Sequence, residues 1–118
     1  MYNHERLVFF RRANKIGDLV YEISKSFPKF ELYELGSQMR RSADSIVFNI
    51  AEGGGKKSVA DMTNYLRIAL GSVKELKVQF GKVESRGYLN QEECVRIKGE
   101  LDEVGKMING FIRKLKDK

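Results

Sequence analysis

The sequence predicts an all-α protein, a single-domain antiparallel up-down four-helix bundle. Apolar residues recur with a period near 3.6 in four consecutive segments. The breaks between those segments are short and marked by proline or glycine. At 118 residues the chain has the length of one domain, enough to bury roughly two-thirds of the surface its unfolded form exposes. The absence of tryptophan, the single proline and a charged fraction of 32% fit a helical chain.

The first helix is expected over about residues 9–27, with Ala13, Ile16, Val20 and Ile23 inward. Pro28 ends it, because proline lacks a donor N–H and disfavours helix at the residue before it. The second is expected over about 33–52. Its core stripe is Leu35, Met39, Ala43, Ile46, Val47 and Ile50, and the run Gly53–Gly54–Gly55 is expected to stop it in a left-handed cap. Ser58 opens the third helix, expected over about 58–85, with Asp61 three residues on as an acidic capping-box variant. Met62, Leu66, Ala69, Val73, Leu76 and Phe80 face inward, and Gly87 closes this segment. Asn90, with Glu93 three residues on, caps the fourth helix, expected over about 91–115. Its stripe is Cys94, Ile97, Leu101, Val104, Ile108, Ile112 and Leu115. Connections this short make successive helices antiparallel neighbours.

The two central helices each carry a second face that a lone bundle does not need. Arg41, Ser45, Phe48 and Glu52 fall opposite the core stripe of the second helix. Asn64, Ile68, Gly71, Glu75, Val78 and Lys82 do the same on the third. Single exposed apolar residues are ordinary. The same anomaly on two neighbouring helices points to an oligomer interface, formed by Arg41, Ser45, Phe48, Glu52, Ile68, Gly71, Glu75 and Val78. Arg41 is read as pairing with Glu52 or Glu75, across helices or between subunits. Gly71 sits mid-helix, where glycine costs about 1 kcal/mol relative to alanine, so a close backbone approach is expected there.

Catalysis finds little support. His4 is the only histidine and Cys94 the only cysteine, so one chain offers neither a zinc site nor a Cys–His pair. Carboxylates alternate with Lys and Arg as on a solvated helix surface. The run Gly53–Gly54–Gly55–Lys56–Lys57–Ser58 evokes a phosphate loop, but Ile50 stands where that motif needs its first glycine, and a helix rather than a strand precedes it. No cofactor, metal or catalytic residue is therefore expected, and the chain is read as non-enzymatic. Most such loops are connectors. A weaker use remains: N–H groups at the start of the third helix, with Lys56 and Lys57, gripping one backbone phosphate.

Basic residues are the better functional candidates. The chain holds 22 Lys and Arg against 16 Asp and Glu, a net charge of +6 shared evenly between its halves. Lys56, Lys57, Arg40, Arg67 and Lys74 are the candidates for binding nucleic acid, since lysine and arginine neutralise phosphate and arginine does so with a planar fork of donors. No stretch of about 18 apolar residues exists to span a membrane, and charge interrupts MYNHERLVFF too soon for a secretory segment. A lone cysteine makes a reducing cytoplasm the expected compartment.

The run from Gln38 through Arg40, Arg41, Ala43, Ser45, Ile46, Asn49, Ile50, Ala51 and Glu52 to Gly53 resembles one bacterial family. Its members are small four-helix-bundle proteins encoded by intervening sequences within 23S rRNA genes. Arg67 to Leu76, the turn Arg86 to Leu89 and the stretch Gly105 to Gly110 resemble it too, so the likeness covers Leu7 to Leu115. Val47 stands where the family usually has proline, so no kink is expected there. The resemblance implies a ring-like homopentamer. Relatives are accessory subunits of diversity-generating retroelements that bind nucleic acid and a reverse transcriptase. Five copies at +6 each would carry +30, a strong attractor of polyanions. The expectation is thus a homo-oligomer that binds nucleic acid, RNA in the first place, or acts as a scaffold. The alternative is a protein-interaction adaptor that docks a partner such as a polymerase without binding nucleic acid itself.

Overall fold

The computed structural model describes residues 2–117, the side chain of Arg6 excepted. Four long helices form the bundle: α1 (Val8–Lys25), α2 (Leu35–Gly54), α3 (Val59–Ser85) and α4 (Gln91–Lys116). A 3₁₀ turn at His4–Arg6 precedes them, and one helical turn, Lys29–Leu32, bridges α1 and α2. Among the described residues there is no strand. The body measures 47 × 24 × 20 Å, its long axis set by the 27 residues of α3.

Around the bundle the helices follow chain order: α1 packs on α2, α2 most extensively on α3, α3 on α4, and α4 back on α1. The face shared by α2 and α3 is therefore opposite the face shared by α1 and α4. All four stripes meet at the centre, where Met39, Ile46, Ile50, Leu76, Phe80, Ile97, Leu101 and Ile108 are almost wholly buried. At the margin Ile23 and Val47 are half-buried. The helix runs without interruption through Val47.

The caps form where local sequence places them. Ser58 Oγ accepts the Asp61 N–H at 3.1 Å, and Asn90 Oδ1 accepts the Glu93 N–H at 2.8 Å. Gly87 takes the left-handed conformation, with φ of 74°.

Three boundaries differ from expectation. The first helix ends at Lys25, two residues early, and Phe27 turns inward to lie 5.2 Å from the Tyr88 ring. The second begins at Leu35 rather than residue 33, because the chain first spends a turn on Lys29–Leu32. It also continues through Gly53 and Gly54, and Gly55 caps it at a right-handed φ of −83°. The glycines are there for space. A Cβ on Gly53 would lie 3.2 Å from that of Tyr65, and one on Gly54 would lie 3.1 Å from the Tyr2 carbonyl oxygen. The N-terminal segment seats on this point, with the Tyr2 N–H donating to the Gly54 carbonyl at 2.9 Å.

Candidate nucleic-acid and assembly surface

The seam between α2 and α3 is polar where it reaches the surface. Ser42 Oγ donates to Glu75 Oε1 at 2.5 Å, and Ser72 Oγ donates to Ser45 Oγ at 2.7 Å. These two bonds fix the antiparallel register, so Phe48 stands near the level of Ile68 and Gln38 near that of Gln79. Ser45 also receives Asn49 Nδ2 on its hydroxyl and its carbonyl. The expected interface serine is thus bonded within its own chain.

Phe48, Ile68 and Val78 stand out from this seam, with relative exposures of 64%, 51% and 60%. Gly71 lies exposed between the levels of Ile68 and Glu75, and nothing lies within 4 Å of where its Cβ would be. Any close approach to Gly71 must come from outside the chain. Glu52 pairs with Lys56 at 3.8 Å, and Glu75 takes the Ser42 hydroxyl. Arg41 pairs with neither glutamate; its side chain has no partner among the described residues and lines a cleft with Gln38, Glu75, Val78, Gln79 and Lys82.

The basic candidates divide. Lys57, Arg67 and Lys74 are exposed, and their side chains have no partner among the described residues. Lys56 sits between the Glu52 carboxylate and the face of the Tyr65 ring, 5.1 Å from its centroid. Arg40 points into the fold: its guanidinium donates to Ser24 Oγ at 2.9 Å and to the Leu32 carbonyl at 3.1 Å. It anchors the bridging turn to α1. At the glycine loop the Ser58 hydroxyl already takes one of the helix-start N–H groups that a phosphate would use. Lys57 and Lys56 adjoin that start, whereas Arg67 and Lys74 run along the flank of α3.

A second polar cluster lies at the other end of the bundle. Glu31, on the bridging turn, is buried and receives Arg86 Nη1 at 2.7 Å and the Tyr88 hydroxyl at 2.8 Å. The Tyr88 bond, and then the Arg86 cation, hold its carboxyl below the ordinary value despite burial. Burial and the Glu31 charge push the Tyr88 phenol up. Nothing in the sequence marked Glu31, because its partners are more than fifty residues away. Cys94 lies wholly buried, and burial raises its thiol. Among the described residues no group of three or more His, Cys, Asp or Glu is placed to hold a metal ion, and no helix is long and apolar enough to cross a membrane.

The order of the helices, their caps and the serine-bonded seam define an all-α antiparallel four-helix bundle. The chain belongs to the 23S rRNA-intervening sequence protein family, whose model matches residues 5–110. Its fold is similar to that of a crystallised protein of unknown function from the S23 ribosomal protein family of Bacteroides thetaiotaomicron VPI-5482. The two share a TM-score of 0.83 and 23% identity, over 90% of this chain and 96% of that one. No curated protein matches the chain.

Proposed function

We propose that this protein is a non-enzymatic homo-oligomer of the cytoplasm that binds RNA through the basic surface of its assembly. The observation that carries the reading is the state of its cations. Arg12, Lys77, Arg86, Arg96 and Lys98 are paired with carboxylates. Lys57, Arg67 and Lys74 stand exposed without one among the described residues. Unpaired cations on a chain of net charge +6 are available to phosphate. The exposed Phe48 and Ile68, beside the open backbone at Gly71, supply an apolar patch on which copies associate. Five is the number the family resemblance implies, and assembly multiplies the charge offered to one RNA.

Titration of a structured RNA at two salt concentrations tests this. Phosphate-driven binding weakens steeply with salt. The same apolar patch also fits a second reading, an adaptor that seats a partner protein there. Undetectable RNA binding at low salt would overturn the first reading and leave the second.

A further inference from the structure

The bridging turn Lys29–Leu32 is clamped from three sides. One helical turn is unstable by itself, because its nucleus costs more order than its few hydrogen bonds return. Here Arg86 Nη1 and the Tyr88 hydroxyl, from the turn between α3 and α4, donate to the buried Glu31. The Arg40 guanidinium of α2 binds the Leu32 carbonyl and reaches Ser24 of α1 with its other nitrogen. Glu31 and Leu32 are thus gripped, while their neighbours in the turn face solvent.

The clamp presents two aromatic rings. Phe30 is 69% exposed and Tyr33 76%, the highest values of any large apolar side chain among the described residues. Tyr33 keeps right-handed helical geometry, with φ of −95° and ψ of −5°. The two rings therefore stand three residues apart on one face, with about 5–6 Å between their Cβ atoms. Lys29, four residues before Tyr33 on that face, is exposed and has no partner among the described residues. Arg86 is 44% exposed while its partner Glu31 is 6% exposed, so that pair shows solvent its cation. Lys29 and Arg86 outweigh Glu34, the exposed carboxylate beside them. A protein anchor sits in a contiguous, dry apolar surface, whereas Ser26, Lys29, Glu34 and Gln38 surround these rings with exposed polar groups. A nucleic-acid base needs only a ring face, with a cation near for its phosphate.

We propose that Phe30 and Tyr33 form a stacking platform for two neighbouring bases of single-stranded RNA, with Lys29 on the phosphate between them. The platform rests on the RNA-binding reading above and adds to it the form of RNA that is held and the place that holds it. In a duplex the bases stack on one another and are closed to a ring; in a single strand they can be splayed onto aromatic side chains. Stacking of this kind tolerates any sequence, because every base has a π face. The clamp has a use on this reading: it fixes the rings before the strand arrives, so little order is lost on binding.

The test titrates the full chain with an unstructured oligoribonucleotide of mixed sequence, and with the duplex it forms with its complement, by fluorescence anisotropy. Phe30→Ala and Tyr33→Ala should each weaken the single strand about tenfold and leave the duplex unchanged. Tyr33→Phe keeps the ring and should bind as wild type does. The rings carry no charge, so the salt slope of the alanine variants should stay that of wild type. Phe30→Trp places one tryptophan in a chain that has none, and the single strand should quench its emission while the duplex does not. Light scattering and circular dichroism should show the same mass and helix content throughout. A double alanine variant that binds the single strand as wild type does, or loses strand and duplex equally, overturns the platform and leaves the RNA reading standing. A double variant that loses oligomeric mass gives the rings to a contact between subunits and overturns it too. A wild-type chain that binds neither RNA at low salt ends the RNA reading and the platform with it, and leaves the rings to a partner protein.

Discussion

The Tyr88 hydroxyl donates to Glu31 Oε2 at 2.8 Å, across a separation of 57 residues, and so ties the turn before α2 to the turn before α4. Arg86 reaches the same oxygen at 2.7 Å. Arg40 holds the adjoining Leu32 carbonyl from the other side. One end of the bundle is thus closed by a buried carboxylate rather than by apolar contact alone.

That closure makes stability depend on acid. The Glu31 carboxyl is held below its ordinary value of 4.5, first by Tyr88 and then by Arg86. A depressed carboxylate contributes stability that is full above the unfolded value and is lost as pH falls through the folded one. Tyr88→Phe should therefore destabilise the protein at neutral pH, with the gap to wild type narrowing below about pH 4.5. Denaturant melts at a series of pH values measure it. A gap of constant size would mean that the hydroxyl is not stabilising the ionised carboxylate.

Gly53→Ala should destabilise the fold by about 1–3 kcal/mol, the usual cost of forcing atoms into a packed contact. Its new methyl would lie 3.3 Å from the Met62 carbonyl and 3.2 Å from the Tyr65 Cβ. Gly71→Ala, where nothing lies within 4 Å, should stabilise an isolated subunit through helix propensity by up to about 1 kcal/mol. Chemical denaturation of both proteins decides this, and equal effects would remove the steric argument for Gly53.

Phe48→Glu should reduce the oligomeric mass while leaving helix content unchanged, since Phe48 lies outside the core at 64% exposure. Burying such a ring is worth roughly 1.5–3 kcal/mol for each contact. Light scattering behind a sizing column reads the result. A wild-type mass of one subunit at micromolar concentration would end the assembly reading. A variant of undiminished mass would move the interface to another face.

Substituting Lys56 and Lys57 together by Gln should weaken RNA binding and lower the salt slope by about one to two units. Lys57 should account for most of the loss, because Lys56 is already shared between Glu52 and Tyr65. Stability should change by less than about 0.5 kcal/mol, as is usual for exposed positions. Unchanged affinity and slope would take the glycine loop out of the binding surface.

The bundle was legible in the sequence because its determinants are local. A stripe such as Cys94, Ile97, Leu101, Val104 and Ile108 is periodic in itself, and Ser58 lies three residues from the N–H it caps. Contacts between distant segments were not legible. Gly53 and Gly54 read as a stop because a glycine run usually is one, whereas their role comes from Tyr65 and from residues 2–4 closing on them. Arg40 read as a phosphate ligand because its partners, a serine 16 residues away and a backbone carbonyl, leave no pattern. On the outer face, the exposure of Phe48, Ile68 and Val78 followed from their angular position. The cleft at Gln79 did not, because one glutamine beside a core stripe looks like any other helix-flank residue.

The circular order of the helices limits the symmetry open to an assembly. A patch confined to the α2–α3 side that meets its own copy generates a two-fold axis and stops at two subunits. A closed ring of five has no such axis within an interface: every contact joins unlike surfaces, and each subunit needs one of each. The other half of the contact must come from a different surface of the subunit, and α1 and α4 carry the exposed apolar Tyr21, at 53%, and Val95, at 60%. In a pentamer no Phe48 would face another Phe48. A single subunit carrying Phe48→Glu, mixed into wild type, would then interrupt the ring at one joint and leave an open arc.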